Sequence, residues 1–184
     1  AHVARLNQRA TRVVFLIAGI GMAAWAPLVP YAKDRAALSD ASFGTLLLFL
    51  GLGSLIAMPV TGVLVGRYGC KRIITCGSAF LLVLLPLLAL FSSPFSLALA
   101  LMAFGASIGL IDVAMNIQAV EVEKSAGIAM MFGFHGLLRM GGIVGGGPMS
   151  LILGLGMTPV QAVRVLNLLL LALDPYCKPH ILNS

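Results

Sequence analysis

The sequence predicts an all-α membrane protein, an antiparallel bundle of transmembrane helices, and three observations predict it. Hydrophobic residues fill 60% of the 184 positions and charged residues 10%, with a mean hydropathy of +1.05, whereas soluble domains carry roughly a quarter charged residues. The apolar residues are gathered into long stretches. A helix needs about 20 of them to cross a bilayer, because each backbone amide must find its partner within the segment. Short polar stretches separate these runs, and their cations gather on one side.

The first span is expected over residues 13–31, with Trp25 beside Pro27 in "AAWAPLVP", a proline kink. The second, 41–66, holds no charge, and the third covers 73–92. The fourth, 95–120, contains one carboxylate, Asp112, and the fifth, 126–153, is glycine-rich and apolar apart from His135 and Arg139. A sixth apolar stretch, 161–173, carries Arg164 and is too short to span before "DPYCKPHILNS" brings two prolines and two charges. One bundle domain over 1–173, with an incomplete sixth helix, and an atypical C-terminal tail over 174–184 are therefore expected. Truncation or a frame change near Leu173 would account for that ending. Ala1 in place of Met suggests a trimmed start, and no signal-type segment with a cleavage site precedes the first span.

The connections "AKDRAALSD", "RYGCKR", "SSP" and "EVEKSAG" are short, which makes consecutive helices antiparallel neighbours. Glycines four apart, Gly62 and Gly66, Gly141 and Gly145, Gly142 and Gly146, suit close backbone approach where lipid supplies no hydrophobic drive. With the N-terminus in the cytoplasm, the inner segments hold Arg5, Arg9, Arg12, Arg67, Lys71, Arg72 and Lys124, and the outer ones only Lys33 and Arg35. The net charge of +6 is thus a topology signal, not a nucleic-acid surface. Cys70, Cys76 and Cys177 have no metal-site or disulfide spacing, so no metal and no cofactor are expected.

Asp112 is the residue that asks for a function. At about 1.5 Å rise per residue it lies roughly 6 Å to the inner side of the middle of its span. Ionised, it would cost several kcal/mol there, so burial favours taking up a proton unless a cation partner is present. His135 lies at similar depth in the fifth span, and imidazole changes charge near neutral pH, so it suits either a proton relay or a hydrogen bond to a neighbouring helix. Arg139 shares a helix face with His135, as Asn116 does with Asp112, and two such faces on adjoining helices would line a cavity. Three roles stand open for Asp112: proton carrier, acceptor for a polar substrate, or structural partner of Arg139. Arg139 is expected to meet Asp112 or a substrate anion. Trp25 would either stack on a sugar ring or sit in an interfacial aromatic belt. Asn167 would line a cavity or bond across helices, and Gln118 is expected near the inner surface, in water.

Two stretches carry a resemblance. "GVLVGRYGCKRII" resembles the loop between the second and third helices of the major facilitator superfamily, with Gly62, Leu64, Arg67, Gly69, Lys71 and Arg72 at matching positions and Gly66 where an aspartate is expected. "GLIDVAMNIQAV" is similar to the fourth helix of fucose-permease-like sugar transporters, an acid followed by an asparagine four residues later. "DVAMNIQAVEVEKSAG", "GFHGL" and "GGIVGGG" are similar to the YbjJ group of uncharacterised bacterial inner membrane proteins. The resemblance implies one half of a twelve-helix secondary transporter in the bacterial inner membrane, with substrate between two halves and protons as the driving ion. Gly62, Arg67, Gly69, Lys71 and Arg72 would form a cytoplasmic gating loop that lacks the family's aspartate. The fifth helix departs from the antiporter pattern G-x-x-x-G-P, with Ile143 at the glycine position before Gly147 and Pro148, which favours symport.

The function expected is proton-coupled transport of a small polar solute such as a sugar. Asp112 and His135 would handle the proton, and Asn116, Arg139 and Trp25 the substrate. The lipid bilayer, the solute and protons are the partners, and the second half is missing from this chain, which is then inactive alone. An anion channel with the inner cations as its funnel is an alternative, but no pore-loop pattern appears. An intramembrane serine protease is another, because "GASIG" at 105–109 matches G-x-S-x-G; that motif needs a strand and a sharp turn, and Ser107 falls inside an apolar helix, so no enzyme is expected.

Overall fold

The computed structural model describes the backbone of residues 2–177 and the side chains of residues 4–172. Helix α1 (His2–Ala23) gives way to a 3-10 turn at Ala26–Leu28 and to α2 (Val29–Arg35). Pro27 and Pro30 open those two pieces, where a missing N–H is harmless, and so break the first span without ending it. Then come α3 (Asp40–Tyr68), α4 (Cys70–Leu90), α5 (Pro94–Ala126), α6 (Met131–Gly154) and α7 (Pro159–Cys177). Five stretches, from Ala4–Arg35 to Met131–Gly154, are long and apolar enough to cross a membrane, while the part of α7 with described side chains, Pro159–Ala172, is shorter. Residues 174–177 of the expected tail continue α7, and 178–184 lie outside the described residues.

Two connections are tighter than expected. "RYGCKR" shrinks to one residue, Gly69, whose φ of +82° turns the chain at no cost to a residue without Cβ. Nothing in residues 121–126 breaks a helix, so α5 runs on to Ala126 and the fifth span begins only at Met131. The Glu123 carboxylate then accepts the backbone N–H groups of Met130 (2.6 Å) and Met131 (2.7 Å), two of the donors left unpaired at the start of α6. On the other side of the bundle, Lys33 and Asp40 form an ion pair across the α2–α3 turn. Ser39 caps α3 by accepting the Ser42 N–H at 3.2 Å.

The helices do not pack in chain order. The main pairings are α3 with α5, α1 with α6 and α4 with α5, and α7 lies against α1 and α4. Backbone approach decides these partners. A methyl group at Gly105 would collide with the Leu50 carbonyl, and one at Gly53 with the Met102 carbonyl, so α3 and α5 touch main chain to main chain. Gly141 and Gly145 lie in the same way on the Leu16 and Ile20 carbonyls of α1, and Gly19 on Leu138 of α6. Gly142 and Gly146 sit farther off, near Ala23, and Gly62 and Gly66 face open space. The expected packing role therefore holds for one of the three glycine pairs, and of the main helix pairings only α4 with α5 joins neighbours in sequence.

Large apolar side chains such as Leu48, Leu55 and Val63 of α3 and Phe80 and Val83 of α4 point outward, as a lipid-facing surface requires. At the centre, α1 and α5 contribute the fully enclosed Phe15, Leu97, Leu101, Phe104 and Met115.

Candidate functional site

Asp112 and Asn116 occupy successive turns of α5 and are joined. The Asn116 Nδ2 donates to the Asp112 backbone carbonyl at 2.7 Å and to its carboxylate Oδ1 at 3.2 Å. Both residues are half-buried. They open onto a groove of about 500 Å³ that runs along α5 past Ile117 and Val120 to Glu121 and Lys124. Its described lining comes from α5 alone.

The second expected wall is elsewhere. His135 is exposed on α6; its Nδ1 donates to the Met131 carbonyl at 3.0 Å, which leaves Nε2 outward, and its ring is tilted on Phe15 at 5.5 Å. Arg139, one turn further along, is also exposed. α6 packs mainly on α1 and touches α5 only slightly. Asp112 and Arg139 form no ion pair; Lys33 with Asp40 is the one found among the described residues. The structural-partner role for Arg139 thus lacks its contact.

Trp25 is only 6% exposed and packs on Phe104 with ring centroids 6.5 Å apart. The indole thus lies in the core of the described bundle, against Phe104.

In the candidate gating loop, Arg67 ends α3 with its guanidinium over the Tyr68 ring at 5.6 Å, while Lys71 and Arg72 fall in the first turn of α4. Cations in a first turn oppose the helix dipole, so helix stability is no reason for them. Gly66, the position of the absent aspartate, is exposed and a methyl there would meet nothing within 4 Å.

Several polar contacts escaped the sequence, while the bond of Asn167 across helices was one of its two expected roles. Gln118 is fully buried, not wet, and its Nε2 donates to Thr11 Oγ1 of α1 at 3.3 Å. Glu123 looked like a loop charge and is the cap of α6. Asn167 donates to the Leu82 carbonyl of α4 at 2.8 Å. Arg35, read as an outer-loop cation, donates from Nη2 to Leu88 O at 2.7 Å and from Nε to Phe91 O at 2.9 Å. Only for Asn167, a lone amide in an apolar helix, did the sequence offer a signal. No group of three or more metal-ligating side chains occurs among the described residues.

Ser107 is 2% exposed and donates to the Ala103 carbonyl at 2.9 Å. The two glycines of "GASIG" are spent on the contact with α3, where Gly105 meets Leu50 and Gly109 meets Ser54. The motif is a helix-packing pattern.

The chain is 55% identical, over 91% of its length, to an uncharacterized MFS-type transporter of Yersinia pestis. It belongs to the major facilitator superfamily. This major-facilitator chain is also 40% identical over 131 residues to the uncharacterized transporter y4wD of Sinorhizobium fredii, covering 71% of the chain. It is 30% identical over 182 residues, 98% of the chain, to membrane protein MosC of Rhizobium meliloti. It spans less than half of these relatives: 44%, 35% and 44% of their lengths. No family model matches the chain. No solved structure matches it either. Helices of spanning length and relatives named as transporters make it a multi-pass membrane protein of a transporter family.

Proposed function

We propose that this chain is the N-terminal half of a secondary active transporter that imports a small polar solute, of sugar type, together with protons. Its bilayer is the bacterial inner membrane and its N-terminus is cytoplasmic. A second half, within the part of the relatives that this chain does not span, supplies the opposite wall of the substrate path. Without it the chain cannot rock one bundle against another and is inactive in transport.

The observation that carries this reading is the Asp112–Asn116 pair within the span-length helix α5, open to a groove that no other described helix lines. An acidic side chain within a spanning helix is a functional site by default, and proton relays in transporters are built on such groups. Asn116 keeps the carboxyl fixed in either state, since an N–H donor suits both the acid and the carboxylate. His135 and Arg139 face outward, where they would meet the second half, a relay and an anion partner respectively. The cations around Gly69 hold the inner end at the cytoplasmic surface.

The test is reconstitution of a complete permease carrying this half, with Asp112→Asn. Proton-driven uptake should disappear while solute exchange persists. Uptake across a pH gradient that is unchanged by the substitution overturns the proposal.

A further inference from the structure

α4 has a break in its own hydrogen-bond ladder. Pro86 lies inside the helix and has no N–H, so the carbonyl of Leu82, four residues earlier, loses its regular backbone donor. Asn167 of α7 supplies a replacement at 2.8 Å through its Nδ2. Pro59 in α3 and Pro148 in α6 free the Leu55 and Val144 carbonyls in the same way, yet among the described residues no side chain donates to either.

The other end of the loosened piece is held as well. Leu88 and Phe91 present carbonyls at the end of α4, and the Arg35 guanidinium takes both, a cation on the negative end of a helix. Residues 82–91 are therefore fastened by α7 at the proline and by α2 at the terminus. The segment leads through Phe91–Ser93 into α5, the helix of Asp112, so its position is passed to the head of that helix.

The amide of Asn167 is not placed there for general polarity. Its Oδ1 is buried with no partner among the described residues, a costly state for an acceptor. Only the N–H side of the amide is used, and it is used on the carbonyl that the proline left open.

We propose that Asn167 is a positioning residue that clamps the proline-loosened end of α4, and that it acts with Arg35 to stop this segment swinging about Pro86. Helix segments freed by proline reorient readily. The clamp decides whether this one does.

Amide hydrogen exchange of the chain in nanodiscs tests it, with Asn167→Leu, Arg35→Gln and the double variant Asn167→Leu, Pro86→Ala. Asn167→Leu should speed exchange of amides 87–91 by about tenfold, the loss of one buried hydrogen bond, and leave residues 104–115 of α5 unchanged. Arg35→Gln should act on the same amides. Pro86→Ala restores an N–H four residues after Leu82 and should cancel the effect of Asn167→Leu. No local change with Asn167→Leu, or a rise shared equally by α5, overturns the proposal. Should Asn167→Leu fail to fold, recovery in the double variant supports the clamp, and failure there overturns it.

Discussion

Gln118 of α5 and Thr11 of α1 meet inside the bundle at 3.3 Å with both side chains shut off from solvent, and Thr11 in turn donates to the Asn7 carbonyl at 2.8 Å. A hydrogen bond between membrane helices contributes about 0.6–1.5 kcal/mol, and a buried partner left unpaired adds to the loss. Gln118→Leu should therefore cost about 1–2 kcal/mol in reversible unfolding from detergent micelles. Thr11→Val should cost a similar amount, and the double variant less than the sum, because the two changes remove one shared contact.

The glycines divide by what faces them. Gly105→Ala should push α5 off the Leu50 carbonyl and destabilise the bundle by about 1–3 kcal/mol, as overpacking does. Gly62→Ala meets nothing within 4 Å and should stay within about 0.5 kcal/mol of the parent. Thermal unfolding of the two variants side by side checks both.

Glu123 ties the end of α5 to the start of α6 through two backbone N–H groups. Glu123→Ala should lower the thermal midpoint and speed exchange of the Met130 and Met131 amides. Glu123→Gln keeps one acceptor oxygen and should fall between the two.

Ser107 should resist a fluorophosphonate probe under conditions that label a serine hydrolase, since its Oγ is enclosed and donates to the Ala103 carbonyl. Covalent labelling at Ser107, read by mass spectrometry, would revive the protease alternative.

What the sequence made legible were properties of single helices. Twenty apolar residues in a row specify a span wherever they are, and the four-residue spacing of Asp112 and Asn116 places both on one face of any helix. Properties of pairs were not legible. Gly62 and Gly66 have the same spacing as Gly141 and Gly145, but only the latter pair meets another backbone, because that depends on which helix lies opposite. Asp112 with Arg139 was a guess of this kind, and α6 lies on α1 instead. Gln118 was misplaced because the hydrophobic run was taken to end near Val120, whereas α5 continues to Ala126 and keeps Gln118 inside the bundle.

The pairing of α1 with α6 also shapes how this polypeptide is born. Some 120 residues separate Gly19 from Gly141, and at a translation rate of about 5–20 residues per second the first span waits on the order of ten seconds for the surface it fits. Proteases and chaperones that survey nascent membrane proteins meet that face of the span uncovered during the interval, so the yield of protein depends on a segment made long after it.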